Sequence, residues 1–180
     1  MSDCWLRSNQ RVMQIAMLLP ALVILGGVLL ALGWLNGETS IILRRIGGIA
    51  AIFALLALVI LLYVSRLPRL AYDDGHLLVY LQSTQPIRVP IQIVECFFLG
   101  QAESDLHGPE VQTNTVVVRL AEADTDWHNV KVKPALGRWR DGYITVFGTW
   151  CEPLNVERVD QMNHLLATAR REAKQIREAS

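Results

Sequence analysis

VMQIAMLLPALVILGGVLLALGWL (Val12–Leu35), then NGETS (Asn36–Ser40), then IILRRIGGIAAIFALLALVILLYV (Ile41–Val64) is the stretch that decides the architecture of this chain. A hydrocarbon slab ~30 Å thick takes roughly 20 apolar residues of helix to cross. The first run offers 24 residues without a charge, and Ile46–Val64 offers another 19. Neither carries a polar stripe at helical spacing, as a helix on the surface of a water-soluble domain would. Pro20 falls inside the first run, where a membrane helix tolerates it as a kink. A chain of 180 residues has too little other mass to bury two such helices on every side. A cleaved leader is also excluded, because the first run is too long for one, ends without a small-x-small site, and is soon followed by a second run. The expectation is a transmembrane hairpin over residues 12–64, with helices at 12–35 and about 42–64.

Charge around the hairpin gives its orientation. Arg7 and Arg11 precede it and Arg66 and Arg69 follow it, against Arg44 and Arg45 beside the turn, which also holds Glu38. The excess of arginine at the open end places residues 1–11 and the chain after the hairpin in the cytoplasm, at an inner, cytoplasmic membrane. Arg44 and Arg45 are expected to reach the far interface, with Trp34 as an aromatic anchor. Gly27 and Ala31 in the first helix and Gly47 and Ala51 in the second are spaced by four, so they are candidates for a close helix–helix contact.

Beyond the linker 65–69, residues 70–180 read as one β-rich domain. Leu70–Asp73 and His76–Gln82 flank Asp73-Asp74-Gly75, a strong hairpin signal because glycine accepts the positive φ that a tight turn demands. Ile87–Pro90 and Ile91–Leu99 follow as strands, Gly100–Asn114 as a loop and Thr115–Ala121 as a β-branched strand. Val130–Lys133 is expected as a short strand, Pro134–Asp141 as a loop and Gly142–Trp150 as the last strand. The closing element is a helix over 155–178 with Asn155 as N-cap, acidic residues early and basic residues late. Its apolar seam runs Val156, Val159, Met162, Leu166, Ala169, Ala173, Ile176. The first half should cover the β structure; the second, richer in charge, is expected to project into solvent or meet a partner helix.

The run AYDDGHLLVYLQSTQPIRVPIQIVECFFLGQ (Ala71–Gln101) resembles the bacterial pleckstrin-homology-like families, through Tyr72, Gly75, Leu77 and Val79 and then Arg88, Val89, Pro90, Ile91 and Val94. Members of those families often carry a transmembrane hairpin just before the domain. The resemblance implies an α+β membrane protein whose PH-like barrel or sandwich has about seven strands capped by the C-terminal helix. It also implies a binding or assembly role rather than chemistry.

The residues themselves point the same way. Net charge is zero, which offers no electrostatic footprint for nucleic acid. The three cysteines, Cys4, Cys96 and Cys151, are odd in number and far apart, as suits a reducing compartment. His76, Cys96, His107, His128, Cys151 and His164 include no pair at metal-ligand spacing, and no cofactor motif is present. Cys96 and Cys151 are the only thiols of the domain that could serve an enzyme, and neither has a base nearby in sequence. The one basic cluster is Lys131, Lys133, Arg138 and Arg140, interleaved with Trp127 and Trp139. It is a candidate membrane-surface patch for anionic lipid headgroups, with Trp139 at the interface. Asp73-Asp74 is acidic where an inositol-phosphate site would be basic, so no such specificity is expected. The leading expectation is a membrane-anchored, non-enzymatic binding or scaffolding module that holds a protein partner or its own copies. The alternatives are an accessory subunit assembled through Gly27, Ala31, Gly47 and Ala51, and an OB-like domain on the same anchor.

Overall fold

The computed structural model describes residues 3–32, 41–82, 85–103, 112–122 and 124–178. It falls into two compact units, Met1–Asn9 with Leu67–Ser180, and Gln10–Arg66.

The second unit is a pair of helices, α1 (Gln10–Ala31) and α2 (Ile41–Arg66), each long and apolar enough to cross a membrane. Their large side chains, such as Ile15, Leu19, Leu22, Ile52, Phe53 and Ile60, are exposed rather than packed inside. The pair runs antiparallel, since Gly27 meets Gly47 while Ala16 and Leu19 share a groove with Ala57 and Leu61. Arg44 does not extend away from the pair. Its Nε and Nη2 donate to the carbonyls of Ala31 (3.1 Å) and Leu32 (3.4 Å), capping the open C-terminal end of α1. Trp34, Glu38 and the turn at 36–40 lie outside the described residues.

In the first unit, eight strands among the described residues form two four-stranded antiparallel sheets. One has the order β1 (Asp3–Leu6), β2 (Leu70–Asp73), β3 (His76–Val79), β4 (Ile87–Pro90). The other has the order β5 (Val94–Glu103), β6 (Gln112–Leu120), β8 (Tyr143–Phe147), β7 (Gly137–Arg140). The helix α3 (Val156–Glu178) closes the domain. One core runs through both sheets and the helix, with Leu6, Leu70, Leu77, Val89, Val118 and Met162 among its members.

Several elements depart from the sequence reading. Residues 1–11 are not a simple tail: Asp3–Leu6 pairs with β2, and Trp5 and Leu6 are buried in the core at 2% and 0% exposure. The segment continues along the domain, where the Asn9 amide donates to the Trp150 carbonyl at 3.0 Å. A domain beginning at residue 70 therefore omits one of its own strands. Arg69, read as a charge flanking the membrane, is 5% exposed and donates from Nε to the Trp150 carbonyl. Strand β5 extends to Glu103 and β6 begins at Gln112, so both ends of the expected loop 100–114 are strand, and its remainder lies outside the described residues. Val130–Lys133 forms no strand, although the Lys133 amide donates to Leu81 O. The expected loop 134–141 instead contains β7. Asp141 (φ 53°) and Gly142 (φ 78°) make the β7–β8 turn with the same Asp-Gly pair that turns β2 into β3.

Asn155 caps α3 as expected, accepting the Arg158 amide at 2.8 Å. Val156 is exposed, whereas Val159, Met162, Leu166, Ala169 and Ala173 are buried, so the helix is seated on its own domain well into its second half. Polar groups fix that seat. Asn163 imitates a neighbouring strand, donating to the Phe97 carbonyl (2.9 Å) and accepting the Phe97 amide (2.8 Å), and Arg170 donates to the Val94 carbonyl. The exposed backbone edge at the start of β5 is thereby covered.

Candidate functional site

Two segments of the domain alternate apolar and cationic residues, and each turns the cations outward. In Gly137–Arg140, Gly137 and Trp139 are buried while Arg138 and Arg140 are exposed. In Val130–Lys133, the two valines pack against the core and both lysines are exposed. All four cations of the predicted patch thus reach the surface. Trp139 does not join them. It is 6% exposed, stacks on Trp127 with centroids 6.2 Å apart, and donates from Nε1 to the Trp127 carbonyl at 2.6 Å. It anchors the segment from inside, where its indole N–H has a partner.

The strand register shows a feature that the sequence reading missed. Across the second sheet, Cys96, Arg119, Tyr143 and Arg140 face one another in one row, and Phe98, Val117, Thr145 and Arg138 in the next. The opposite face of the same strands carries Phe97, Val118, Ile144 and Trp139, all buried. The outer face is therefore aromatic and β-branched at its centre and arginine-lined at its margin. Phe98 and Tyr143, each 39% exposed, make an edge-to-face pair at 6.3 Å, and Arg138 lies over the Phe147 ring at 5.7 Å. The signal was available: ECFFLG, TVVVRL and YITVF are apolar at both parities, unlike a strand with one wet face.

The thiols are placed differently from one another. Cys4 is exposed, Cys96 is half-buried and Cys151 is buried. Burial pushes the Cys151 thiol up to about 12, against a smaller opposing pull from Arg69, so it stays protonated at neutral pH. It donates weakly to the Phe147 carbonyl at 3.4 Å and serves packing. Among the described residues no group of three or more His, Cys, Asp or Glu side chains could hold a metal; His107 lies outside them.

A polar cluster joins the N-terminal strand to α3. Arg158 donates from Nη2 and Nε to Glu152 Oε1 (2.6 and 3.1 Å), and from Nη2 also to the Trp5 carbonyl (3.0 Å). Glu152 in turn accepts the Arg7 amide at 3.2 Å. In the hairpin, the small residues come together within one chain. A Cβ on Gly27 would sit 2.6 Å from Gly47 O and 3.1 Å from Ala51 Cβ, and one on Gly47 would meet Ala31 N at 3.4 Å. Gly27, Ala31, Gly47 and Ala51 are thus engaged by the partner helix of the same hairpin.

Comparison of the chain with protein-family models, with curated proteins and with solved structures yields no match.

Proposed function

We propose that this protein is a membrane-anchored, non-enzymatic binding or scaffolding module, presenting a PH-like domain at the cytoplasmic face of the membrane. The observation that carries the reading is the insertion of the apolar hairpin into the domain. The chain leaves the β domain after Asn9, runs through two helices whose apolar side chains are exposed, and re-enters at Leu67. Because Leu6 and Leu70 are paired neighbours, the segments that precede and follow the hairpin belong to one folded unit. Exposed apolar helices of this length are stable when lipid surrounds them. The arginines at the open end then favour the cytoplasmic side.

Two antiparallel sheets around one core, with a C-terminal helix seated against them, support a PH-like barrel better than an OB-like one, since α3 supplies a large share of the core. A binding role is supported by the half-exposed aromatic and arginine face; the buried, protonated Cys151 is unsuited to nucleophilic work. Crosslinking of the full-length protein in native membranes tests the reading. It expects the protein to resist alkaline extraction and to form discrete higher-mass adducts. Recovery as a soluble species, or as a monomer at every crosslinker dose, would contradict it.

A further inference from the structure

The outer face of the β5-β6-β8-β7 sheet has the composition of a protein interface rather than of a solvated sheet. Aromatic residues and arginine are the types enriched where proteins dock, and lysine and carboxylates are depleted there. The two rows nearest the β7–β8 turn hold Phe98, Val117, Tyr143 and Thr145 with Arg119, Arg138 and Arg140, and no carboxylate lies in either row. In the domain, the exposed large apolar side chains among the described residues are Phe98, Tyr143, Val156 and Leu165, and the first two touch each other here.

The arginines are not equivalent. Arg119 is engaged by Glu95 (2.9 Å) and Glu122 (3.3 Å), and Arg140 lies 3.9 Å from Asp141. Arg138 has no carboxylate partner among the described residues; it is exposed, with its guanidinium carbon 5.7 Å over the Phe147 ring. A guanidinium fork without such a partner matches a carboxylate bidentately.

We propose that this face docks an acidic peptide segment of a protein partner. A carboxylate of the segment pairs with Arg138, and an adjacent apolar side chain seats against Phe98, Val117 and Tyr143. The inference rests on the domain being a binding module and names the chemistry of what it binds. A protein is favoured over the bilayer by the margin of the face. Glu122 and Asp141 are 84% and 78% exposed, and with Glu95 they oppose a lipid surface that is negative everywhere. A peptide places its few negative charges only where they fit.

The test uses the full chain in nanodiscs of zwitterionic phosphatidylcholine, screened against a displayed library of random peptides. Selected peptides are then synthesised and titrated by fluorescence anisotropy. Enriched sequences should carry Asp or Glu beside an aromatic or aliphatic residue. Their affinity should fall at least tenfold for Arg138→Glu and for Phe98→Ala, both at exposed side chains. A peptide with lysine in place of its acidic residue should regain affinity for Arg138→Glu. Peptides that bind both variants unchanged would overturn the proposal while leaving a binding module that uses another surface. Failure to enrich any acidic sequence would overturn it as well. So would hydrogen-exchange protection of residues 117–119 and 138–145 that appears without peptide, whether on adding phosphatidylglycerol (the bilayer) or on raising protein concentration (a second copy).

Discussion

At the scale of single residues, the decisive contributions are close approach and burial. Gly47 and Gly27 let the backbones of α1 and α2 meet where a side chain would collide with main-chain oxygen 2.6 to 2.9 Å away. Gly47→Leu should therefore cost about 1–3 kcal/mol of helix–helix stability. Denaturation of the full-length protein in mixed micelles would show this as a lower midpoint for the hairpin, with the domain transition unmoved. Cys151 sets a pH dependence. Its thiol is raised from 9.0 to about 12 by burial, so below pH 9 folded and unfolded chains both keep the proton. Between pH 9 and about 12 only the unfolded chain releases it, and stability falls as pH rises. Thermal unfolding followed by tryptophan fluorescence should show a shallower alkaline loss for Cys151→Ala than for the unaltered chain; equal slopes would remove Cys151 as the cause.

At the scale of elements, local signals were legible where one short-range rule governs the backbone. Asp74-Gly75 marked the first turn, Asn155 marked the start of α3, and two long apolar runs marked the helices. The same Asp-Gly rule at Asp141-Gly142 would have found β7, but Gly137-Arg-Trp-Arg looked polar because only two of its four residues face the core. Strand β1 was hidden for a different reason. DCWL is too short to show a period, and its pairing partner Leu70–Asp73 lies more than sixty residues away, beyond the hairpin. The consequence is testable. A fragment of residues 67–180 lacks Trp5, Leu6 and the Trp5 carbonyl that Arg158 uses. Loss of two large core side chains removes several kcal/mol, comparable with the ~5–15 kcal/mol that holds a domain together. That fragment should melt without cooperativity, whereas residues 1–9 joined to 67–180 by a short Gly-Ser linker should give a single sharp transition in calorimetry. Two equally cooperative melts would mean that β1 is dispensable.

At the scale of the whole molecule, the order of the chain constrains its topology more tightly than arginine counting does. A domain whose first strand precedes the hairpin and whose remaining strands follow it can assemble only if both ends of the hairpin emerge on one side. The candidate binding face was partly visible in the sequence, as strands apolar at both parities and a basic cluster. It became a site only when the register set Phe98 beside Val117 and Arg138 beside Thr145. No sequence rule fixes which strands become neighbours in a sheet ordered β5-β6-β8-β7.

Labelling with a membrane-impermeant maleimide at two single-cysteine positions tests the proposed membrane anchoring most directly. One is Cys4 on the N-terminal strand, with Cys96 and Cys151 replaced by alanine; the other is Gln175→Cys, at an exposed position of α3, in a chain otherwise free of cysteine. Both should be blocked in intact cells and both should label after permeabilisation, which would place β1 and α3 together on the cytoplasmic side. Labelling of either position in intact cells would contradict this, and labelling of one alone would put β1 and α3 on opposite sides of the membrane.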